Sequence, residues 1–226
     1  MLAVIVPANN EEQLIGLCLR SVGIAASWPG LQGETVLVIV VLDACTDDTA
    51  SVAIESGALI IAVEARNVGI ARAEGARVAL SMGARWLAFT DADTVVAPDW
   101  LHVQMSLRSD AVCGTIGVSD WGPGGDSMRR HFDATYTDAD GHQHIHGANL
   151  GVSAQAYEQA GGFDPLPSSE DVALVRALEA VGARIAWSAA PRVTTSARRE
   201  SRAPGGFAAS LVRAGESLAG ESGSAP

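Results

Sequence analysis

Across its first hundred residues the chain alternates short apolar runs with amphipathic stretches, and each apolar run ends in a polar cluster. Residues 2–6 are apolar and too few for a helix, so they read as a strand. The stretch from Asn10 places Leu14, Leu17, Cys18 and Val22 on one helical face. Asn9 or Asn10 suits its cap, and Glu11 and Glu12 suit its positive end. Residues 35–42 are β-branched and continuously apolar, the pattern of a strand buried on both faces. Residues 46–56 read as a helix capped by Thr46, Asp47 or Asp48, and residues 58–63 as a strand. Residues 69–82 read as a helix with Ala71, Gly75, Val78 and Met82 on one face, followed by a strand at 85–90.

The order β-α-β-α-β-α-β with short connections predicts parallel strands in an open α/β sheet. Ligands of such sheets sit beyond the carboxyl ends of the strands. The polar clusters fall there, at residues 7–12, 43–49, 66–67 and 91–93, which predicts one site built from four strand ends.

The second half is less regular. A helix is expected from near Pro98, a strand at 111–118, a Gly-rich loop at 121–126, and helices at 153–160 and 171–181. Val172, Val175 and Leu178 stripe the last helix, and Gly182 is placed to end it. The expected organisation is one domain over 1–214, in halves 1–110 and 111–214, with a flexible tail at 215–226.

Composition narrows the chemistry. All 15 basic residues are Arg, so Schiff-base enzymes, P-loops and kinase-type phosphate clamps are excluded for want of Lys. A net charge of −11 argues against general affinity for nucleic acid. The longest apolar stretch, residues 36–42, is far shorter than the about 20 residues a bilayer requires. No basic residue precedes the first apolar segment, and Cys18, Cys45 and Cys113 show neither metal spacing nor pairing. A cytoplasmic setting is the expectation.

Asp91 and Asp93 at the end of a buried strand are candidates to hold a hard cation that neutralises a diphosphate. Thr-Asp-Ala-Asp also occurs at 137–140, where no strand precedes it and Gly141 follows, the pattern of a turn. Glu170-Asp171 opens a helix; the pair is either favourable dipole placement or a general base for an acceptor hydroxyl. His142, His144 and His146 would share one side of an extended segment, which suggests a metal site; the alternative is that one of His144 or His146 lines a substrate pocket. Residues 192–213 carry five Arg and one Glu, and Arg198, Arg199 and Arg202 are candidates for phosphate contact and for a lid over the donor.

Taken in order, these clusters resemble the family 2 glycosyltransferases with the GT-A fold. The matching pieces are Val4-Ile-Val-Pro-Ala-Asn-Asn-Glu11, Val41-Leu-Asp43 with Thr46-Asp-Asp-Thr49, Arg66-Asn-Val-Gly69, Phe89-Thr-Asp-Ala-Asp93, Gly147-Ala-Asn149, Gly161-Gly-Phe-Asp164 and Glu170-Asp171. The resemblance implies sugar transfer, with inversion, from a UDP- or GDP-linked donor to an unidentified acceptor, assisted by Mn²⁺ or Mg²⁺. It would lay Pro7, Ala8, Asn9 and Glu11 along the nucleoside, Asp43 on the base and Arg66 near base or phosphate. Asp91 would face ribose or metal, Asp93 would ligate the metal, and Gly147 and Asn149 would border the donor sugar. Asp171, with Glu170 beside it, would be the catalytic base.

The chain departs from its relatives in two places. Asn9 stands where they often carry an aromatic residue or His, and no His follows Glu170-Asp171 as a further metal ligand. The expectation is a compact soluble transferase. Two competing readings are a catalytically silent sugar-nucleotide-binding module and a sugar nucleotidyltransferase. The second would need a Gly-rich basic loop after the first strand, and Pro7-Ala-Asn-Asn-Glu11 has neither Gly nor a base.

Overall fold

The structure, a computed structural model, describes residues 1–121 and 125–196. Strand β1 (Leu2–Ala8) is buried at every position and lies parallel to β2 (Val36–Asp43) on one side and β4 (Trp86–Phe89) on the other; β3 (Leu59–Val63) is parallel to β2. Helices α1 (Ile15–Ala26), α2 (Thr49–Glu55) and α3 (Val68–Ser81) make the connections, so the expected α/β order holds.

The second half extends the same sheet with β6 (Ala111–Gly114), β8 (Leu150–Ser153) and β9 (Ile185–Ser188). The strand order is β3-β2-β1-β4-β8-β6-β9, with β8 antiparallel to both neighbours. A three-stranded sheet places β10 (Val193–Ser196) between β5 (Thr94–Val96) and β7 (Gly117–Asp120). Helices α4 (Trp100–Ser106), α5 (Asp126–Thr135), α6 (Ala154–Ala160) and α7 (Glu170–Ala180) complete the described residues.

Alternation along the strands makes two cores. Leu2, Val4 and Val6 pack with Ile15, Cys18 and Val22 of α1 and with Trp100 and Leu101 of α4. Ala3 and Ile5 point the other way, onto Ala71, Ala76 and Ala79 of α3 and Leu174 and Leu178 of α7. A Cβ on Gly75 would stand 2.5 Å from Ile5 Cγ2, so this glycine lets α3 sit close on the sheet.

Several expectations are corrected. The run at 111–118 divides between two sheets, because the Asn149 amide fills the space beside Gly114 and its Nδ2 donates to Thr115 O at 2.7 Å, pinning the chain where it turns. Residue 126 begins α5 rather than ending a loop. Helix α1 starts at Ile15, with Leu14 and Ile15 N–H donating to Glu11 O, so Asn9 and Asn10 do not cap it. That later start turns Leu17 outward, 50% exposed, and brings Ile15, Cys18, Leu19, Val22 and Ala25 inward. Met82, expected on the inner face of α3, follows the helix and is exposed. Arg198, Arg199, Arg202 and the tail at 215–226 lie outside the described residues.

Candidate active site at the strand tips

Loops leaving β1, β2 and β3 meet at one end of the sheet and brace one another. Asn9 Nδ2 donates to Asp43 O at 2.6 Å, Thr46 N donates to Asn10 Oδ1 at 2.8 Å, and Glu11 N donates to Thr49 Oγ1 at 2.7 Å. Glu12 N donates to Asp47 Oδ2 and Asp48 N to Glu12 Oε2, closing the two loops reciprocally. Among the described residues, four of the six non-glycine residues with positive φ lie on this rim: Asn10 (54°), Ala44 (54°), Arg66 (49°) and Ser169 (61°), the last directly before Glu170. Such conformations cost about 1–3 kcal/mol each and gather where geometry serves a ligand.

Asp43 ends β2 and is 5% exposed. Its Oδ1 accepts from Ala65 and Arg66 N–H and its Oδ2 from Asn67 N–H, at 2.7–2.8 Å. The carboxylate therefore folds the 65–67 loop around itself, as an anion held in a backbone nest. That geometry leaves the Arg66 side chain exposed above the rim. Pro7 and Ala8 are buried at the end of β1, paired with Val41 and Leu42.

Asp91 and Asp93 follow β4 and remain half-buried. Burial first, and then the charges of Asp91, Asp93 and Glu11, push the neighbouring Cys18 thiol up, which marks these three carboxylates as one electronegative patch. Asp93 Oδ1 accepts long hydrogen bonds from Thr94 Oγ1 at 3.3 Å and Thr195 Oγ1 at 3.4 Å. Among the described residues no three His, Cys, Asp or Glu side chains converge as a metal cage. An all-oxygen set of one or two carboxylates fits Mg²⁺ or Mn²⁺ completed by phosphate oxygens and water.

The centre of the site is a residue the sequence reading passed over. Arg72, on α3, is 4% exposed; its Nη2 donates to Asp91 Oδ1 at 2.6 Å and its Nη1 donates to Glu170 Oε1. Its Cζ lies 5.9 Å from the Phe163 ring centroid. The backbone of Gly147 lies against the guanidinium, where a Cβ would stand 2.4 Å from Cζ. The N–H of Gly147 in turn donates to Asp171 Oδ2 at 2.8 Å. The structure thus sorts the acidic pair: Glu170 is 5% exposed and sealed against Arg72, while Asp171 is half-buried beside Gly147. Burial pushes the Glu170 carboxyl up, with Arg72 opposing and Asp171 reinforcing.

Two other expectations change character. Asn149 is fully buried; its Nδ2 donates to Thr115 O and Pro191 O, and its Oδ1 accepts from Trp100 Nε1. Its side chain is sealed in the interior rather than bordering a sugar. His142, His144 and His146 form a stack instead of a metal cluster: His144 lies 4.1 Å from the Tyr136 ring, and the His142–His144 and His144–His146 centroids are 5.6 and 6.0 Å apart. One nitrogen of each ring is engaged within the fold, His142 Nδ1 with His144 N, His144 Nε2 with Thr137 N and His146 Nε2 with Tyr136 Oη, while His142 Nε2 is buried without a hydrogen-bond partner among the described residues. The second Thr-Asp-Ala-Asp copy leads into the expected turn, and its acids staple the fold. Asp138 accepts from Thr115 Oγ1 and Arg192, and Asp140 accepts from Ser188 Oγ and Ala189 N.

The pattern described as Glycosyl transferase family 2 matches residues 3–160. The chain belongs to that family. The match includes Asp43, Arg72, Asp91, Asp93 and Gly147 and stops short of Glu170 and Asp171. No curated protein matches the chain. Solved GT-A glycosyltransferases share the fold of this family 2 domain. Residues 1–349 of S. aureus TarS in complex with UDP-GlcNAc superpose with a TM-score of 0.67 at 17% identity, over 94% of this chain and 64% of that one. The mannosyltransferase PcManGT from Pyrobaculum calidifontis, in complex with GDP-Man and Mn²⁺, gives 0.64 at 20% identity, over 89% and 58%. Glucosyl-3-phosphoglycerate synthase from Mycobacterium tuberculosis, in complex with Mn²⁺, UDP and glucosyl-3-phosphoglycerate, gives 0.56 at 20% identity, over 87% and 70%. The chain spans 60% of the length of another TarS structure of residues 1–349. Among the described residues no helix is long and apolar enough to cross a membrane.

Proposed function

We propose that this family 2 domain transfers a sugar from a nucleoside-diphosphate donor to an acceptor hydroxyl with inversion, using Mn²⁺ or Mg²⁺. The reading rests on one observation: Asp91, at the tip of β4, and Asp171, at the start of α7, are joined through Arg72 and Gly147. The relatives' complexes with UDP-GlcNAc and with GDP-Man and Mn²⁺ support a nucleotide-sugar donor and a divalent cation.

In this reading Pro7, Ala8, Asn9 and Glu11 border the nucleoside. Asp43, through the loop it folds, sets the base pocket, and Arg66 reaches over base or phosphate. Asp93, with Asp91 beside it, holds the cation, which when bound neutralises charge on the leaving diphosphate. The Asp171 carboxylate takes the proton of the acceptor hydroxyl. The acceptor oxygen forms its bond to the anomeric carbon as the carbon–oxygen bond to the diphosphate breaks, its electron pair leaving with the phosphate. Glu170, sealed beneath Asp171, orients the helix and does not reach the acceptor.

The test is a thermal-shift screen of UDP, GDP, ADP and CDP with and without Mn²⁺ or Mg²⁺. A true ligand stabilises the folded state with the logarithm of its saturation. Stabilisation by one base, dependent on cation, is the expected result. Its absence with every nucleotide removes the reading; binding without nucleoside-diphosphate release from the corresponding sugar donor identifies a silent binding module.

A further inference from the structure

We propose that Arg72 is a positioning residue, fixing the cation-side carboxylate Asp91 and the base Asp171 in one frame through its own guanidinium. This rests on the transferase reading above and adds to it a residue outside the nucleotide, cation and acceptor contacts.

Three observations carry the inference. First, Arg72 touches both sides, with Nη2 on Asp91, which follows β4, and Nη1 on Glu170 from α7. Those partners are 19 and 98 positions away in sequence, so α3 holds the strand tip and the base helix at a fixed separation. Second, Gly147 is the relay to the base: only a residue without Cβ fits against the guanidinium, and its N–H reaches Asp171. Third, the arrangement is a poor one for stability alone. A buried ion pair repays its desolvation only when its remaining donors are satisfied, yet Arg72 Nε is buried without a hydrogen-bond partner among the described residues. Well-packed apolar side chains serve stability as well or better, whereas a planar fork that spans two carboxylates supplies geometry that apolar groups and a point charge lack.

Two variants test it. In Arg72→Lys one ammonium reaches one carboxylate and releases the other. In Arg72→Met/Glu170→Leu both members of the sealed pair go, leaving only the half-buried Asp91 without its partner. Each is measured by thermal melting, by calorimetric titration with Mn²⁺ alone, and by nucleoside-diphosphate release from the sugar donor that the nucleotide screen selects, with water as acceptor. A folded variant should lose about tenfold or more in kcat while the donor KM changes by less than about threefold, as expected for a misplaced base. In the double variant Mn²⁺ binding should hold or tighten, because Asp91 is no longer neutralised by a neighbouring cation. A merely structural residue would instead weaken Mn²⁺ binding and kcat together, and that outcome overturns the proposal. So does kcat within about twofold of the parent in either folded variant. A parent protein that binds no nucleotide with any cation sinks the transferase reading itself, which separates the two failures.

Discussion

The main-chain N–H of Gly147 donates to Asp171 Oδ2 at 2.8 Å, while the same glycine lies flat on the guanidinium of Arg72. One residue without a side chain thus transmits the position of a buried cation to a half-buried carboxylate. Replacing it should be costly for a steric reason independent of any ligand. Gly147→Ala places a methyl group 2.4 Å from Arg72 Cζ, and overpacking of this kind costs about 1–3 kcal/mol. Urea denaturation should show a lowered midpoint with an unchanged slope.

Asp171→Asn should keep nucleotide and cation affinity, since Asp171 accepts from Gly147 N and Val172 N and, among the described residues, is hydrogen-bonded to neither Asp91 nor Asp93. Turnover should fall by about 10²-fold or more, because an amide does not take a proton. Glu170→Gln is the control, as its group is sealed against Arg72. Steady-state kinetics of both variants distinguish base from support; equal losses would refute the assignment of the base to Asp171.

Asp93→Ala should abolish cation-dependent nucleotide binding, because it removes the carboxylate that the proposed function gives to the cation. Calorimetric titration with the selected nucleoside diphosphate, with and without Mn²⁺, gives the answer.

His146 makes the fold acid-sensitive. Burial, with the charges of His144 and His142 adding to it, holds its imidazole down at about 3, against an ordinary value of 6.5. The Tyr136 hydroxyl accepts from Ile116 N–H at 2.9 Å and lies 3.0 Å from His146 Nε2, a pairing satisfied when it donates to a neutral ring. The folded state therefore binds fewer protons than the unfolded chain between these values. The stabilisation is complete above pH 6.5 and is lost progressively as pH falls toward 3, at no more than about 1.4 kcal/mol per pH unit. Urea unfolding at a series of pH values should show a shallower acid loss in His146→Gln than in the parent; parallel profiles would exclude His146 as the source.

Asn149→Ala tests the sealed amide. It leaves Trp100 Nε1, Thr115 O and Pro191 O without their partner in the interior. A loss on the order of 3 kcal/mol is expected, read from chemical unfolding.

The sequence made the first four strands and their helices plain because parallel strands buried on both faces are continuous β-branched runs, and each is punctuated by the polar loop that leaves it. The site inherited that clarity: Asp43, Asp91 and Asp93 stand where strands end. What escaped depended on distant residues. Nothing local separates Gly114 from Gly117; the division there is imposed by an amide 35 positions onward. Helix α5 is mostly polar, with Met128 its one buried residue, so its apolar face is too narrow to stand out in the sequence. Arg72 carries no local signal of its role, since its partners come from two other elements. The one available hint was its place beside the Ala71, Gly75 and Ala79 stripe on a face that packs against the sheet. Asn149 was misplaced because its motif names the neighbourhood correctly and gives no indication of which way its amide turns.

The outer edge of β4 is covered by β8, whose residues lie some sixty positions later, and β5 acquires its partner only with β10 at Val193–Ser196. A nascent chain leaving the ribosome thus carries an open, sticky strand edge until residue 153 has emerged, and its smaller sheet waits longer still. Folding is consequently late and collective. Recombining the leading segment of this chain with the trailing segment of a relative is workable only if the crossover preserves both of those long-range pairings.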